Sequence, residues 1–216
     1  MIESTHGIIL RTRLLTETSL IVNWLTPDLG RVATVAKGAR RAKSPFAGKL
    51  DLFYTAEFSF TRSRSSELHN LREVKLHATR SGLREDMGKF QQAAYATAFI
   101  EQATETETPL PEIFKLVESF LNFLGANPAT PQNIFALELK FLRELGLEPD
   151  AAETRLTPGA KKIVARLTAE DWKNNLRLTD AQSAELRQWL HGFLIFHLGK
   201  LPRGRAMAIG DRKSVV

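Results

Sequence analysis

The sequence contains no cysteine. That absence removes disulfides, thiolate nucleophiles and cysteine-based zinc sites together. No run approaches the roughly 18 apolar residues that a membrane-spanning helix requires. The stretch from Met1 to Ser19 carries charges throughout and lacks the apolar centre of a secretory leader. A protein that stays where it is made, with no membrane contact, is expected. Internal repeats and low-complexity tracts are lacking too. The histidines, His6, His69, His77, His191 and His197, fall at no metal-ligand spacing. No serine stands in a nucleophile elbow. Gly30 and Gly38 flank a strand without the Gly-Lys-Ser/Thr ending of a phosphate-binding loop. Glu101, Glu105, Glu107, Glu112 and Glu118 could supply a carboxylate metal cluster, but they accompany apolar helical stripes and read as a solvated face. The expectation is a protein with no catalytic residues, no cofactor and no metal.

What is present is an uneven distribution of charge. The net charge is +6, and hydrophobic residues make up 43% of the chain, enough for a real core. Residues 31–90 hold 13 basic against 6 acidic side chains, residues 91–160 hold 4 against 10, and residues 161–216 hold 11 against 5. A basic block, an acidic block and a basic end therefore follow one another. With a sequence pI near 9.7, clustered Lys and Arg are an electrostatic footprint for nucleic acid, although a merely basic surface would give the same totals.

The first 80 residues follow a period of two, the mark of half-buried strands. Strands are expected over Gly7 to Arg13, Ser19 to Thr26, Gly30 to Lys37, Asp51 to Thr61 and Leu68 to His77, with a tight turn at Pro27-Asp28-Leu29-Gly30. Along Asp51 to Thr61, Leu52, Tyr54, Ala56, Phe58 and Phe60 share one face. Five short strands suit a small closed barrel, which leaves no exposed edge. From about Ser81 the period becomes 3.6. Helices are expected over Met87 to Glu105, from Pro109/Pro111 to a left-handed Gly125, from Thr130-Pro131 to Gly146, briefly near Thr168 to Asn174, and from Thr179, where Gln182 completes a capping box. The last helix should bury Leu186, Leu190, Phe193 and His197, and the basic end from Gly199 should be loose. The fold class is thus α+β: a five-stranded N-terminal barrel of OB-fold type over residues 1–80 and an all-α region over 81–216.

The segment VAKGARRAKSPFAGK, residues 35–49, places Lys37, Arg40, Arg41, Lys43 and Lys49 together with no acid. Such a loop repels itself unless an anion is present, and phosphates suit both Lys point charges and Arg forks. A solvated loop that binds nothing is the bland alternative, but the run lies between barrel strands, where OB-folds bind oligonucleotides. Arg62, Arg64, Arg72, Lys75 and Arg80 form a second basic set. Strict alternation would put Arg72 and Lys75 on opposite faces. Single-strand binders stack bases on exposed rings; Phe46, in the basic loop, and more weakly Phe53 are the candidates.

The run GRVATVAKGARRAKSPFAGKLDLF, the opening Gly7-Ile8-Ile9-Leu10 with Glu17-Thr18-Ser19-Leu20, the helix FALELKFLRELGLEPD and the close HLGKLPRGRAM resemble the RecO family of recombination mediators. The resemblance covers nearly the whole chain. It implies an OB-fold joined to a helical domain in the cytoplasm, at the nucleoid, and binding of single- and double-stranded DNA. It also implies annealing of complementary strands, partnership with RecR and with the single-stranded DNA-binding protein, and, indirectly, loading of RecA. Many members place four cysteines of a zinc module after the Glu-Pro-Asp segment; Ala151, Ala152, Glu153 and Thr154 stand there in this chain, so that module is degenerate. The tail of the single-stranded DNA-binding protein is acidic with an apolar end, and its receptor needs an apolar pocket with a cationic rim. Lys200, Arg203 and Arg205 after Phe196 and Leu198 are favoured, with Lys140 and Arg143 beside Phe141 and Leu142 second. An OB module acting on ribosomal or transfer RNA is the alternative of a different kind, and a protein-joining scaffold the third.

Overall fold

The computed structural model describes residues 1–150, 154–169, 171–172 and 176–210. Five strands, β1 (Ile2–Leu14), β2 (Leu20–Thr26), β3 (Gly30–Ala36), β4 (Thr55–Thr61) and β5 (Leu68–Ala78), close a barrel in the order β1-β2-β3-β5-β4. Neighbours run antiparallel except β3 and β5, which pair in parallel at Ala33–Leu68, Thr34–His69 and Val35–Asn70. The barrel is filled by Ile9, Val22, Trp24, Val32, Ala56, Phe58, Phe60, Leu71 and Val74. Trp24 stacks on Phe58 at 4.1 Å between centroids, and its indole N–H donates to Thr34 Oγ1 at 2.9 Å. A buried indole needs such a partner, because an unpaired donor would lose its hydration without compensation.

Among the described residues six α-helices follow: α1 (Met87–Ala103), α2 (Pro111–Ala126), α3 (Pro131–Glu144), α4 (Pro158–Ala169), α5 (Asp180–Leu198) and α6 (Arg205–Ala208). The chain divides into two compact units. One holds Met1–Ser81 with Ile100–Leu121, and the other holds Gly82–Phe99 with Asn122–Val216. In the first, residues 101–108 run along the outside of β2 and β3. Asn23 donates to the Glu101 carboxylate, and Arg31 donates to the Thr104 carbonyl from Nε (3.1 Å) and Nη2 (2.5 Å). Gly30, at φ +67°, lies so close to this stretch that an added Cβ would stand 1.9 Å from the Thr108 carbonyl oxygen. The turn therefore needs glycine for its backbone angle and for its lack of a side chain.

In the second unit α3 is buried on all sides from Asn133 to Leu142. A charge carried into that environment must be paired. Glu138, 0% exposed, accepts from Arg205 Nε at 2.7 Å and Nη2 at 2.8 Å, and from the Tyr95 hydroxyl at 2.5 Å. Burial first, and then the Glu138 charge, holds the Tyr95 phenol well above the ordinary tyrosine pKa. Lys140 Nζ (3.1 Å) and Arg143 Nη1 (2.9 Å) both donate to the Thr168 carbonyl, which lies in the last turn of α4. They act as cations on that helix C-terminus.

Several sequence expectations change. β4 begins at Thr55 rather than Asp51, because Phe53 takes a left-handed backbone (φ +69°) and turns its ring into the core; Arg80 Nη1 holds its carbonyl at 2.7 Å. In β5 the pairing slips between Ser59–Glu73 and Phe60–Leu71, so Arg72 and Glu73 both face outward. Arg72 and Lys75 are therefore exposed together, not on opposite faces, since a bulge inserts one residue into the alternation. Gly125 is helical within α2, and the helix expected near Thr168 to Asn174 is instead α4, ending at Ala169. Residues 173–175 lie outside the described residues. The Thr179–Gln182 capping box is present. The buried face of α5, however, is Leu186, Leu190 and Leu194, with His197 exposed. The segment after Gly199 is not loose as far as residue 210, because Arg205, Ala208 and Ile209 are buried; the remainder, and Ala151, Ala152 and Glu153, lie outside the described residues.

Candidate nucleic-acid interface

The basic loop leaves β3 at Lys37 and is folded by successive tight turns. Arg41 N–H donates to the Gly38 carbonyl, Ser44 to Arg41, Ala47 to Ser44 and Lys49 to Phe46, at 3.0–3.1 Å. Gly38 at φ +68° starts the series. The loop is also tied to the β1–β2 hairpin: Gly38 N–H donates to Ser19 Oγ (3.3 Å), Arg40 N–H to the Thr18 carbonyl (3.0 Å) and Arg40 Nη1 to the Glu17 carbonyl (2.9 Å). Phe46 anchors it from beneath. The ring is 6% exposed and packs in the barrel core. That corrects the expectation that Phe46 stacks on bases, and Phe53, at 1% exposure, is corrected in the same way. With the ring inward, Lys37, Arg40, Arg41 and Lys43 are exposed and Lys49 is half-buried.

Lys49 reaches a groove of about 450 Å³ also lined by Arg72, Lys75, Ser59, Glu57 and Glu73. The structure therefore joins the loop to the outward residues of β5. Arg62 and Arg64 fall elsewhere, on the β4–β5 connection. Arg62 is held bidentately by Glu3 (Nε 2.7 Å, Nη2 3.0 Å) and by Glu107 through Nη1 (2.7 Å). The Arg62 hydrogen bond depresses the Glu3 carboxyl below its usual range. Glu107 also faces buried His69, whose Nε2 lies 2.8 Å away. Ser63 N–H donates to His69 Nδ1 at 3.3 Å, which leaves Nε2 to face Glu107. Arg62 is thus a neutralised member of an ion cluster, whereas Arg64 is exposed. Sequence reasoning passed over Leu14 and Leu15, which are 62% and 46% exposed at the hairpin tip. A signal existed: two consecutive apolar residues at a strand end cannot both face inward.

In the helical unit a pocket of about 500 Å³ is lined by Ile195, Leu201, Pro202, His191, Arg187 and Arg203. Lys200 and Arg203 are exposed beside it. Arg205, 6% exposed, is not a rim residue, because the Nε–Nη2 edge of its guanidinium is spent on Glu138 and Nη1 donates to the Arg187 carbonyl at 3.4 Å. Lys140 is likewise buried, and Arg143 is committed to Thr168 and, at 3.5 Å, to Glu144. Among the described residues no group of three or more His, Asp or Glu is placed to hold a metal ion, and no helix is long and apolar enough to cross a membrane.

The strand order and closure make the barrel an OB-fold, the class of small β-barrel that binds oligonucleotides and oligosaccharides. Residues 1–80 match the family model described as recombination protein O N terminal, and residues 84–154 match recombination protein O C terminal. The chain belongs to the recombination protein O (RecO) family. It is similar to proteins named DNA repair protein RecO from Rhodopirellula baltica (32% identical over 143 residues, 66% of this chain and 53% of the relative). Those of Myxococcus xanthus (33% over 144 residues, 67% and 59%) and Bacillus subtilis (29% over 150 residues, 69% and 58%) are similar too. The match spans between half and three-fifths of these relatives.

Proposed function

We propose that this protein is a non-catalytic DNA repair mediator whose barrel binds single-stranded DNA through its phosphates. The observation that carries the reading is the loop Lys37–Lys49, where four exposed cations and half-buried Lys49 stand on turns fixed by backbone hydrogen bonds, with no acid among them. A preformed set of cations loses little freedom on binding, which favours contact with a flexible polyanion. Annealing requires two repelling backbones to be neutralised at once. The loop holds one strand, and the groove of Lys49, Arg72 and Lys75, whose cations outnumber Glu57 and Glu73, receives the second or a duplex. Arg64 extends the basic surface, while Arg62 contributes little because its charge is already matched. The division into a DNA-binding barrel over residues 1–80 and a helical region over 81–216 belongs to this proposal, as do RecR as partner and RecA loading as outcome. The acidic, apolar-ended tail of the single-stranded DNA-binding protein is assigned to the pocket of Ile195, Leu201 and Pro202, with Lys200, Arg203 and Arg187 as its cationic rim.

Titration of a fluorescent oligonucleotide over a range of salt tests the reading. The log–log slope should be about −0.7 per phosphate neutralised. Arg40→Glu/Arg41→Glu should flatten it and remove most affinity with the circular dichroism unchanged. Competition with RNA of the same sequence separates DNA from RNA as the preferred strand. Unchanged DNA affinity in the double variant would refute the assignment.

A further inference from the structure

We infer that Leu14 and Leu15, at the tip of the β1–β2 hairpin, contact the unstacked bases of the strand whose phosphates the basic loop holds. The inference rests on the proposed phosphate binding and adds a base-contacting element to it. Leu14 is the last residue of β1, opposite Leu20, and Leu15 begins the turn. That turn is rigid: Leu15 N–H donates to the Ser19 carbonyl at 3.0 Å, and Ser19 N–H donates to Thr16 Oγ1 at 3.1 Å. Two large apolar side chains are thus held in water, which costs free energy unless something covers them.

Charge identifies what covers them. The hairpin is bonded directly to the cationic loop through Gly38 and Arg40, so the leucines and the phosphate-binding cations move as one body. Arg13 is exposed on the approach to the tip, as is Arg11 with the Glu101 carboxylate 3.8 Å from its guanidinium, and Glu17 is the one acid between residues 11 and 20. An apolar pair framed by cations fits a ligand that is anionic along one edge and apolar along the other, as a single strand is. Of the barrel's rings, Trp24, Phe46, Phe53, Phe58 and Phe60 are buried, and Tyr54 is half-buried against the same core. The bases therefore meet aliphatic side chains instead of a stacking platform. Leucine serves as a wedge between base steps in proteins that unstack nucleic acid.

The test compares an oligothymidylate with an abasic strand of equal length, by fluorescence anisotropy, for the full chain, for Leu14→Ser/Leu15→Ser and for Arg40→Glu/Arg41→Glu. The unsubstituted protein should prefer the strand with bases by about tenfold, a difference of about 1.4 kcal/mol. The leucine variant should lose that preference and keep both its salt slope and its affinity for the abasic strand. The arginine variant should lose slope on both strands. No preference for bases in the unsubstituted protein, or a preference that survives in the leucine variant, overturns the inference and leaves the tip as a surface for a protein. Equal loss on both strands in the leucine variant overturns it too, since the pair would then only shape the loop. Failure of the phosphate reading looks different: a slope near zero in the unsubstituted protein.

Discussion

Replacing Arg205 by Met removes the guanidinium from a carboxylate that has no access to water. Glu138 is 0% exposed and receives two hydrogen bonds from Arg205, at 2.7 and 2.8 Å. Leaving a buried charge without its partner costs about 3–5 kcal/mol, because the desolvation remains and the attraction is gone. The Tyr95 hydroxyl still donates to Glu138, so the low end of that range is the fairer expectation. A loss of about 3 kcal/mol is a large share of a stability of about 5–15 kcal/mol. It should lower the midpoint of thermal unfolding by about 6–12 °C. Arg203→Met is the comparison, since its side chain is exposed and surface changes stay within about 0.5 kcal/mol. The double variant Glu138→Leu/Arg205→Met should recover part of the loss, because the buried charge is removed with its partner while the Tyr95 hydroxyl loses its acceptor. Thermal unfolding followed by circular dichroism measures all three. If Arg205→Met and Arg203→Met unfold at the same temperature, or the double variant is worse than the single, the reasoning is wrong. The same result governs peptide-binding tests: charge reversal at Arg205 would unsettle the fold, so Lys200 and Arg203 are the positions to reverse.

Phe46→Ala should cost about 3–5 kcal/mol, the range for emptying a core ring, and urea unfolding would measure it; a change below about 1 kcal/mol would mean the ring is not a core residue. Stability should fall above about pH 10, where an unfolded tyrosine ionises but the raised phenol of folded Tyr95 does not. It is fully present below that pH and lost as pH rises toward the folded value, so Tyr95→Phe should flatten this alkaline limb of a denaturation series. Gly30→Ala should destabilise by more than about 1 kcal/mol, since the new methyl meets the Thr108 carbonyl at 1.9 Å in a left-handed backbone; a thermal midpoint equal to that of the unsubstituted protein would contradict the contact.

The barrel was legible because each strand buries one face, which writes a period of two into the chain. Ala56, Phe58 and Phe60 alternate as expected and are all buried. The signal failed where backbone geometry departs from the pleat: at Phe53, whose left-handed angle turns an apparently outward ring inward, and at the β5 bulge, which brings Arg72 beside Lys75. Helix α1 misled for the opposite reason. Buried around most of its circumference beyond Gln92, it carries no single stripe, so Ala93, Tyr95 and Ala96 escaped a search for one face. The cations of the loop could be read directly, because nothing in its sequence offsets them. Arg62, Lys140 and Arg205 looked equivalent on paper, and only long-range partners such as Glu107, Thr168 and Glu138 show that their charges are already spent. Periodicity also gives no hint that residues 100–121 return to the compact unit of the barrel.

The parallel seam between β3 and β5 has a consequence for motion. It is stitched only through Ala33–Leu68, Thr34–His69 and Val35–Asn70, whereas β3 pairs with β2 along its full length from Gly30 to Ala36. Amides along this seam should therefore exchange with solvent deuterium sooner than those between β2 and β3, as the least costly place for the cylinder to breathe. Below Val35, β3 runs into the cationic loop; beyond Asn70, β5 runs into the groove of Arg72 and Lys75. A transient parting of this one joint would change the spacing between the two sets of charge.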